Sequence, residues 1–298
     1  MQKNSVAVIG AGKWGQALHF ALGQKQKCYI TSRTKRDINN FVDLNTALSC
    51  EYLIIAIPAQ QIRQWLDEHF EFKGQKILVA SKGIEASTGK FLNEIYEEFI
   101  PSENLGFISG PSFAAEVIKG LPCALVLNSL NKQIFIEFEK LFPDFIKTYY
   151  SDDVIGAEIC GAYKNVLAIA SGICEGMNLG NNARVSLISR GLVEMQRFGS
   201  HFGAKMETFI GLSGAGDLFL TASSELSRNF RVGLGLANNK TLDEILEELG
   251  EVAEGVKTSY AINSLNKKHK IYTPIANEVY SILEGKNPKD SLKDLLKD

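Results

Sequence analysis

The chain has 298 residues, of which 45% are hydrophobic and 22% charged, with a formal net charge of -2. This length predicts two domains or one large one, and the composition is that of a globular protein with a sizeable core. The small net charge gives no indication of a nucleic-acid or anionic-membrane partner. No apolar run approaches the roughly 20 residues that a membrane-spanning helix needs. A strand predicted within a few residues of the N-terminus leaves no room for a signal peptide.

The cysteines and histidines are scattered along the chain. The five cysteines are odd in number and lack C-x-x-C spacing, which favours a reducing compartment and argues against a disulfide framework. The four histidines are equally dispersed, so we expect no metal site and no Ser/His/Asp motif. The residues concerned are Cys28, Cys50, Cys123, Cys160, Cys174, His19, His69, His201 and His269.

A glycine-rich turn follows the first predicted strand. Gly10, Gly12 and Gly15 form G-x-G-x-x-G between an apolar run and a predicted helix. Gly10 allows a sharp turn, Gly12 leaves room for a pyrophosphate, and Gly15 lets the helix pack close to the strand. The amides at the helix start then face the phosphates. In this context the pattern predicts dinucleotide binding; the alternative is an ordinary strand-to-helix turn.

The second predicted strand, residues 28–31, ends where a dinucleotide site selects its ribose. An NAD-specific site usually has Asp or Glu there, but this chain has Ser32 and Arg33, followed by Lys35 and Arg36. A guanidinium can pair with a 2′-phosphate that a carboxylate would repel. We therefore expect NADPH to bind at least as well as NADH. The alternative is a solvated basic loop.

Apolar runs at residues 52–57, 76–80, 105–109 and 124–127 predict further strands, buried on both faces as in a parallel sheet. Helical stretches are predicted between them, over 60–70, 90–99 and 132–142, with a short helix over 43–49. The pattern is typical of an α/β, doubly wound, Rossmann-like domain that ends near Tyr150.

After residue 151 the strand pattern fades, and apolar spacing near 3.6 predicts helices over 155–171, 183–199, 242–249, 258–267 and 275–283. We therefore expect residues 1–150 to form the dinucleotide-binding domain and residues 151–298 an all-helical substrate and catalytic domain. The charged stretch 286–298 is expected to be peripheral.

Two polar segments follow predicted strands of the first half. Lys82 lies in Ser-Lys-Gly-Ile after the run at 76–80, and Gly110 and Ser112 follow the run at 105–109. Ligands bind at the carboxyl ends of strands in open α/β sheets. Lys82 is therefore well placed to meet an anionic or carbonyl substrate.

A lysine interrupts the most apolar predicted helix of the second half. Lys164 and Asn165 are the strongly polar residues of the otherwise apolar stretch 161–170. A buried lysine is costly unless it is paired or neutral, and a lowered pKa would suit it to protonate a developing alkoxide. The alternative is that Lys164 extends to the surface.

Two later segments offer partners for that lysine and its substrate. Asp217, surrounded by glycines, could orient Lys164, or could simply cap a helix. Ser227, Arg228 and Asn229 form a candidate phosphate clamp, for which the alternative is a solvated loop.

Together these segments resemble the bacterial-type NAD(P)-dependent glycerol-3-phosphate dehydrogenases over nearly the whole chain. The matching segments occur in the family's order: G-A-G-K-W-G, S-K-G-I, S-G-P-S-F-A-x-E-V, G-A-Y-K-N, G-x-G-D-L-x-x-T, S-R-N and V-A-E-G-V. The chain departs from the family after Arg36, where the family usually has more residues. That departure bears on the adenosine side of the cofactor site and on cofactor preference.

The resemblance implies roles for individual residues. Lys164 would be the general acid and base, Lys82 would contact substrate, and Asp217 would hold Lys164 in place. The substrate site would be formed by Lys82, Gly110, Ser112, Lys164, Asp217, Ser227, Arg228 and Asn229. The cofactor site would be lined by Gly10, Gly12, Lys13, Trp14, Gly15, Arg33, Lys82, Ala114, Arg228, Val252 and Glu254.

The implied reaction is the reversible reduction of dihydroxyacetone phosphate to sn-glycerol 3-phosphate with NADPH or NADH, which supplies glycerophospholipid synthesis. Such enzymes are usually cytoplasmic homodimers. Two alternatives stay open. One is a related reductase for carboxylate substrates, of the 3-hydroxyacid dehydrogenase or ketopantoate reductase type, and the other is a non-catalytic dinucleotide sensor.

Overall fold

A computed structural model describes residues 2–297, with side chains from residue 5 onward. The described chain divides into two compact units, one made of residues up to 81 and 92–157, the other of residues 82–91 and 158 onward. The first is an α/β unit and the second is helical, as expected. The functional boundary between residues 150 and 151 stays a prediction.

The first unit is built on a sheet of seven strands within the described residues, in the order β2-β1-β3-β4-β5-β6-β7. All the strands predicted from apolar runs are confirmed. The strands are β1 (Gln2–Ile9), β2 (Cys28–Thr31), β3 (Cys50–Ile55), β4 (Lys76–Val79), β5 (Leu105–Ser109), β6 (Cys123–Asn128) and β7 (Ile146–Ser151).

The sheet departs from a purely parallel one at a single neighbouring pair among the described strands. β6 runs antiparallel to β5, with Ile108 opposite Leu127, whereas β7 pairs with β6 in parallel. The parallel arrangement expected from the buried apolar runs is wrong for this one pair. β7 was not predicted from the sequence, because this edge strand exposes Lys147 and Tyr149 and lacks a continuous apolar run.

Alternating side chains of the strands fill two cores, one on each face of the sheet. Val6 and Val8 lie in the core that also contains Leu18, whereas Ala7 and Ile9 lie in the opposite core with Leu66. Helices therefore cover both faces, as a doubly wound sheet requires.

The helices of this unit are short, and most lie where the sequence predicts them. The stretch 90–99 is helical only over Leu92–Tyr96, and the one at 132–142 ends at Glu139. Single 3-10 turns precede α3, at Ala59–Gln61, and β5, at Ser102–Asn104. The helices are α1 (Lys13–Leu22), α2 (Leu44–Leu48), α3 (Ile62–His69), α4 (Leu92–Tyr96), α5 (Ala114–Val117) and α6 (Lys132–Glu139).

α7 (Val154–Gly176) begins in the first unit and continues through the helical one. By length and composition it is the one described helix that could cross a membrane, which corrects the expectation that no apolar run approaches that length. However, 94% of its most apolar window is buried inside the protein. Its hydrophobicity is therefore accounted for by the protein core.

The other described helices confirm the predicted segments of the second half and add four. α9, α10 and α11 lie in glycine-containing stretches, and α15 lies in the charged terminal stretch. The helices are α8 (Gly180–His201), α9 (Met206–Ile210), α10 (Asp217–Ala222), α11 (Arg228–Ala237), α12 (Leu242–Leu249), α13 (Glu254–His269), α14 (Pro274–Leu283) and α15 (Pro288–Leu295).

Glycines bring α7 and α11 into backbone contact. A β-carbon at Gly172 would overlap the carbonyl of Phe230, and one at Gly233 would overlap the carbonyl of Ile169. Only glycine permits this separation, which explains why α11 contains a residue of low helix propensity.

The segment after Arg36 returns to the edge of the sheet. The Ile30 amide donates to the Asn40 carbonyl (3.2 Å), and the Val42 amide donates to the Ile30 carbonyl (3.0 Å). Phe41 packs against the core beside α1. This segment therefore pairs with β2 on the side that faces away from β1.

Candidate active site

The glycine-rich turn of the first unit has the geometry that its sequence predicts. Gly10 has φ +110°, and a β-carbon there would overlap the Ala56 carbonyl oxygen. A β-carbon at Gly15 would overlap the Gly10 carbonyl oxygen, so the first turn of α1 lies directly on the loop. Neither position has space for a larger residue.

Gly12 differs from these two glycines because its surroundings are open. A β-carbon built on Gly12 has no atom within 4 Å in the described structure. Gly12 is the N-cap of α1, and α1 has neither a side-chain cap nor an acidic residue in its first turn. An open loop surface beside an uncapped helix start fits the pyrophosphate of a dinucleotide.

Two other predicted segments of this unit also follow parallel strands. Arg33 is exposed and lies two residues after the end of β2. Gly110 follows β5 with φ +110°, and the Ser112 hydroxyl donates to its carbonyl (3.3 Å). Carboxyl ends of parallel strands share one edge of a sheet, so Gly10, Arg33 and Gly110 lie along the same edge.

In the helical unit, three predicted catalytic residues form one cluster. The Lys164 ammonium donates to Asp217 Oδ1 (2.5 Å), and the Lys82 ammonium donates to Asp217 Oδ2 (2.8 Å). Lys164 is 7% exposed and Asp217 is 2% exposed. Lys164 therefore does not extend to the surface, and the expected pairing with Asp217 is present.

Sequence reasoning missed a fourth member of this cluster, Thr221. Lys164 Nζ also donates to Thr221 Oγ1 (2.9 Å), and that hydroxyl lies 3.4 Å from Asp217 Oδ1. Asp217 and Thr221 are one helical turn apart on α10, so the spacing i, i+4 within the G-x-G-D-L-x-x-T segment was the available indication.

Burial and neighbouring charges shift the pKa values in opposite directions. Burial lowers the pKa of Lys164 to about 8; Asp217 opposes this shift, and Lys82 adds to it. Burial would raise the pKa of Asp217, but the two ammonium groups outweigh it and hold that pKa below its usual range. A lysine with such a pKa can give up or take a proton near neutrality, beside a carboxylate that stays ionised.

Local backbone geometry positions this cluster. Asp217 begins α10 directly after a π-helical turn, Leu212–Gly216, in which the Gly216 amide donates to the Gly211 carbonyl (3.1 Å). Gly216 is the N-cap, so the alternative that Asp217 only caps the helix is wrong. Opposite it, the Lys82 side chain passes within 3.4 Å of the position that a β-carbon on Gly161 would take.

The predicted phosphate clamp is the start of a helix rather than a loop. Ser227 is the N-cap of α11, and its hydroxyl accepts from the Phe230 amide (3.2 Å). Arg228, the first helical residue, donates to Glu251 (3.3 Å), and Asn229 Oδ1 accepts from the Gly255 amide (3.0 Å). A guanidinium at a helix N-terminus suits an anion.

The contact with Gly255 joins the clamp to the V-A-E-G-V segment, and the contact with Glu251 joins it to the residue directly before that segment. Val252 is 50% exposed, and Glu254 is the first residue of α13. Glu251 was not identified from the sequence, because nothing in its neighbourhood distinguishes it from other surface acids. Its contact with Arg228 is what identifies it as a candidate site residue.

Within the side chains that the structure describes, no group of three or more His, Cys, Asp or Glu residues could hold a metal ion. The polar groups of the candidate site are instead ammonium, guanidinium, carboxylate, hydroxyl and backbone amide groups. Such a set can bind anions and transfer protons.

Comparisons with known proteins agree with this geometry. The models of the N-terminal and C-terminal regions of NAD-dependent glycerol-3-phosphate dehydrogenase match residues 28–135 and 153–293. Glycerol-3-phosphate dehydrogenase [NAD(P)+] of Sulfurimonas denitrificans is 64% identical over 98% of this chain and 99% of that protein. Its counterpart in Campylobacter jejuni subsp. doylei is 62% identical over 98% of both chains.

Among solved structures, glycerol-3-phosphate dehydrogenase of Coxiella burnetii matches with a TM-score of 0.90 and 33% identity, over 99% of both chains. Matches of this extent cover both units, including the segments with the glycine-rich turn and the buried lysine. The chain therefore belongs to the NAD-dependent glycerol-3-phosphate dehydrogenase family.

Proposed function

We propose that this protein catalyses the reversible, NAD(P)H-dependent reduction of dihydroxyacetone phosphate to sn-glycerol 3-phosphate. The observation that carries the proposal is the buried Lys164, held by Asp217 and Thr221 with its pKa lowered to about 8. The nicotinamide, when bound, supplies the hydride to the carbonyl carbon. The chain's own residues must supply the proton and hold the substrate.

Lys164 is the proton donor in this mechanism. When the carbonyl carbon is reduced, the C–O π electron pair moves onto the carbonyl oxygen. The resulting alkoxide takes a proton from the Lys164 ammonium. The neutral amine that results lies beside Asp217, whose negative charge is then balanced by the Lys82 ammonium. In the oxidation direction the neutral amine takes the proton back from the alcohol.

Asp217 and Thr221 orient the lysine. Lys164 donates to both, so two of its three N–H bonds are directed and the remaining one is left for the substrate oxygen. Lys82, on the other carboxylate oxygen, is a second cation that can stabilise the developing negative charge.

Arg228 and Asn229 are assigned to the substrate phosphate, with Ser227 shaping the start of α11. Arg228 contacts Glu251 through one nitrogen, so other guanidinium N–H groups can meet an anion. The side-chain oxygen of Asn229, Oδ1, accepts from the Gly255 amide. The NH₂ group of the same side chain therefore points away from Gly255 and can donate to a ligand. Binding the distant phosphate would help to orient the reacting carbonyl.

Cofactor binding is assigned to the first unit, and Lys82, Arg228, Val252 and Glu254 keep the cofactor roles that the resemblance implies. The open surface at Gly12 supports a pyrophosphate site, and exposed Arg33 supports acceptance of a 2′-phosphate. NADPH should therefore bind at least as well as NADH. Lys13, Trp14, Gly110, Ser112 and Ala114 keep the roles that the resemblance implies.

We also propose that the protein acts in the cytoplasm as a homodimer, with residues 1–150 for the cofactor and 151–298 for substrate and catalysis. The product would supply glycerophospholipid synthesis. Size-exclusion chromatography with light scattering tests the dimer, and a monomer at assay concentration would overturn it.

The deciding experiment follows oxidation of NADPH, and then NADH, after addition of dihydroxyacetone phosphate. We expect rapid oxidation that is absent with unphosphorylated dihydroxyacetone. If both cofactors bind but neither is oxidised, ketopantoate and 3-oxoacids are the next substrates, since they represent the carboxylate-specific reductases. Failure with these as well would leave a dinucleotide sensor.

A further inference from the structure

A buried carboxylate of the helical unit has no role in the proposed chemistry. Glu194 lies on α8 and is 2% exposed. Its Oε1 accepts from the Tyr163 hydroxyl (2.8 Å) and from the Ala276 amide (2.9 Å), and its Oε2 accepts from the Ile275 amide (2.9 Å). A buried carboxylate is unfavourable unless it is hydrogen-bonded, and these three donors offset the cost.

Two of these donors belong to the first turn of α14. The Thr273 side chain, at the N-cap, does not cap this helix, and Pro274 follows it. Glu194 therefore satisfies amide groups that a local cap would normally satisfy, and its charge is favoured at a helix N-terminus. Burial raises the pKa of Glu194, while these hydrogen bonds oppose the shift.

The third donor, Tyr163, directly precedes Lys164 on α7. Tyr163 is fully buried, and its ring packs against Phe198 with a centroid separation of 5.2 Å. Phe198 lies on α8 one turn after Glu194. α8 therefore holds Tyr163 at both the ring and the hydroxyl group.

Fixing Tyr163 fixes the direction of its neighbour. Successive residues of an α-helix project about 100° apart, so a held Tyr163 sets the rotation of α7 from which Lys164 reaches Asp217. α8 also packs against α10, which carries Asp217 and Thr221. α8 thus contacts both α7, which carries Lys164, and α10, which carries Asp217.

We propose that Tyr163 and Glu194 are positioning residues that hold Lys164 on Asp217 and Thr221. The inference rests on the proposed function for its kinetic readout, but the contacts themselves do not depend on it. The competing explanation is that Glu194 only stabilises the packing of α14.

The test removes the hydroxyl alone, in Tyr163→Phe. We expect kcat for reduction to fall about 3- to 10-fold, since small misplacement of a catalytic group is costly, with KM for dihydroxyacetone phosphate nearly unchanged. Asp217 raises the pKa of Lys164, whereas burial and Lys82 lower it. A lysine held less closely to Asp217 should therefore lose its proton at lower pH. The decline of kcat on the alkaline side should then begin at a lower pH than in the wild type.

Tyr260→Phe is the matched control. The Tyr260 hydroxyl donates to Glu284 (2.7 Å) just after α14, so the same chemical change removes a Tyr–Glu bond that does not involve α7. It should leave kcat and its pH profile as in the wild type. Glu194→Met, which removes both acceptor oxygens, should reproduce the kinetic effect of Tyr163→Phe, and the double variant should be less than additive.

Amide hydrogen exchange over residues 160–166 gives a readout that does not need turnover. We expect faster exchange in Tyr163→Phe than in Tyr260→Phe. A wild-type kcat and alkaline limb in Tyr163→Phe would overturn the positioning role, whatever its melting temperature. If wild-type protein does not reduce dihydroxyacetone phosphate, the proposed function fails; the exchange difference then decides the positioning role alone, and unchanged exchange overturns it.

Discussion

The glycine-rich turn and the lysine cluster are two sites made in different ways. In the first unit, Gly10, Gly12 and Gly15 lie within six consecutive residues and act through the backbone: one turns the chain, one leaves open space, one permits close packing. In the helical unit, Lys82 and Lys164 reach Asp217 from positions 135 and 53 residues away, and act through side chains.

The difference determines how each site tolerates change. The backbone site depends on the absence of side chains, so a methyl group at Gly12 can block it without disturbing the fold. The side-chain cluster depends on opposite charges that compensate one another in a buried site. Removing one charged group therefore changes the pKa of the others. The following predictions probe that contrast, from the largest effect to the smallest.

The largest effect is expected for Lys164→Ala. Loss of a general acid should lower kcat by about 10²- to 10⁴-fold, while NADPH binding measured by fluorescence stays unchanged. Lys286→Ala is the control, because it removes another ion-paired lysine, bound to Glu278 and Asp294, outside the site. Full turnover by Lys164→Ala would show that the proton comes from elsewhere.

Gly12→Ala should separate binding from folding. A β-carbon there meets no protein atom within 4 Å, so the melting temperature should change by only about 2 °C. Loss of one or two hydrogen bonds to the pyrophosphate should weaken dinucleotide affinity by about 10- to 100-fold. Gly15→Ala is the contrasting variant, because its β-carbon overlaps the Gly10 carbonyl and stability should fall. Unaltered affinity in Gly12→Ala would contradict a pyrophosphate at this loop.

The pH dependence should have opposite signs in the two directions. Lys164, with its pKa lowered to about 8 by burial, is charged below that pH and neutral above it. Reduction needs the ammonium, so its kcat should fall about tenfold per pH unit above the pKa; oxidation needs the amine and should rise through the same range. Initial rates in both directions provide the measurement. If kcat changed in the same sense with rising pH for both reduction and oxidation, a single lysine could not be both the acid and the base.

Arg33→Asp should affect one cofactor selectively. Loss of a bidentate pair, and repulsion by the new carboxylate, should weaken NADPH by about 10- to 100-fold and leave NADH nearly unchanged. Dissociation constants measured by titration calorimetry give the comparison, with Lys35→Asp as a neighbouring exposed control. Equal weakening of both cofactors would mean that Arg33 does not contact the 2′-phosphate.

The smallest effect is expected for Glu251→Gln. Glu251 and Arg228 form a partly exposed ion pair at 3.3 Å, and such pairs contribute about 0.2–1 kcal/mol. Without it, Arg228 should be freer to bind phosphate, and KM for dihydroxyacetone phosphate should fall by about two- to fivefold. Glu248→Gln, which affects the exposed pair with Lys240, is the control. A raised KM would indicate that Glu251 holds Arg228 in its binding position.

The first unit could be predicted from the sequence because its elements are local patterns. Apolar runs gave β1 to β6 in the right places, and the glycine spacing located the turn before α1. Strand direction was not accessible, because the run that forms β6 would look the same in either orientation. β7 was missed for a different reason: edge strands are only half buried, so alternation replaces a continuous run.

In the helical unit, sequence reasoning identified Lys164 because a cation is conspicuous in an apolar helix. Thr221 was not identified, since a threonine in an apolar stretch is unremarkable until the lysine is seen to donate to it. α11 was not predicted, since Gly233 and Gly235 lower helix propensity, whereas contact with α7 requires Gly233. Both the contact of Thr221 with Lys164 and the formation of α11 depend on tertiary contacts, which the sequence does not display.

The short segment after Arg36 has a consequence for self-association. Through Asn40 and Val42 it occupies hydrogen-bonding groups of Ile30 that an outer strand would otherwise offer to another chain. Unpaired edges of this kind are where sheets of separate molecules join and aggregate. The segment thereby leaves fewer backbone groups at this edge available for pairing with a second molecule.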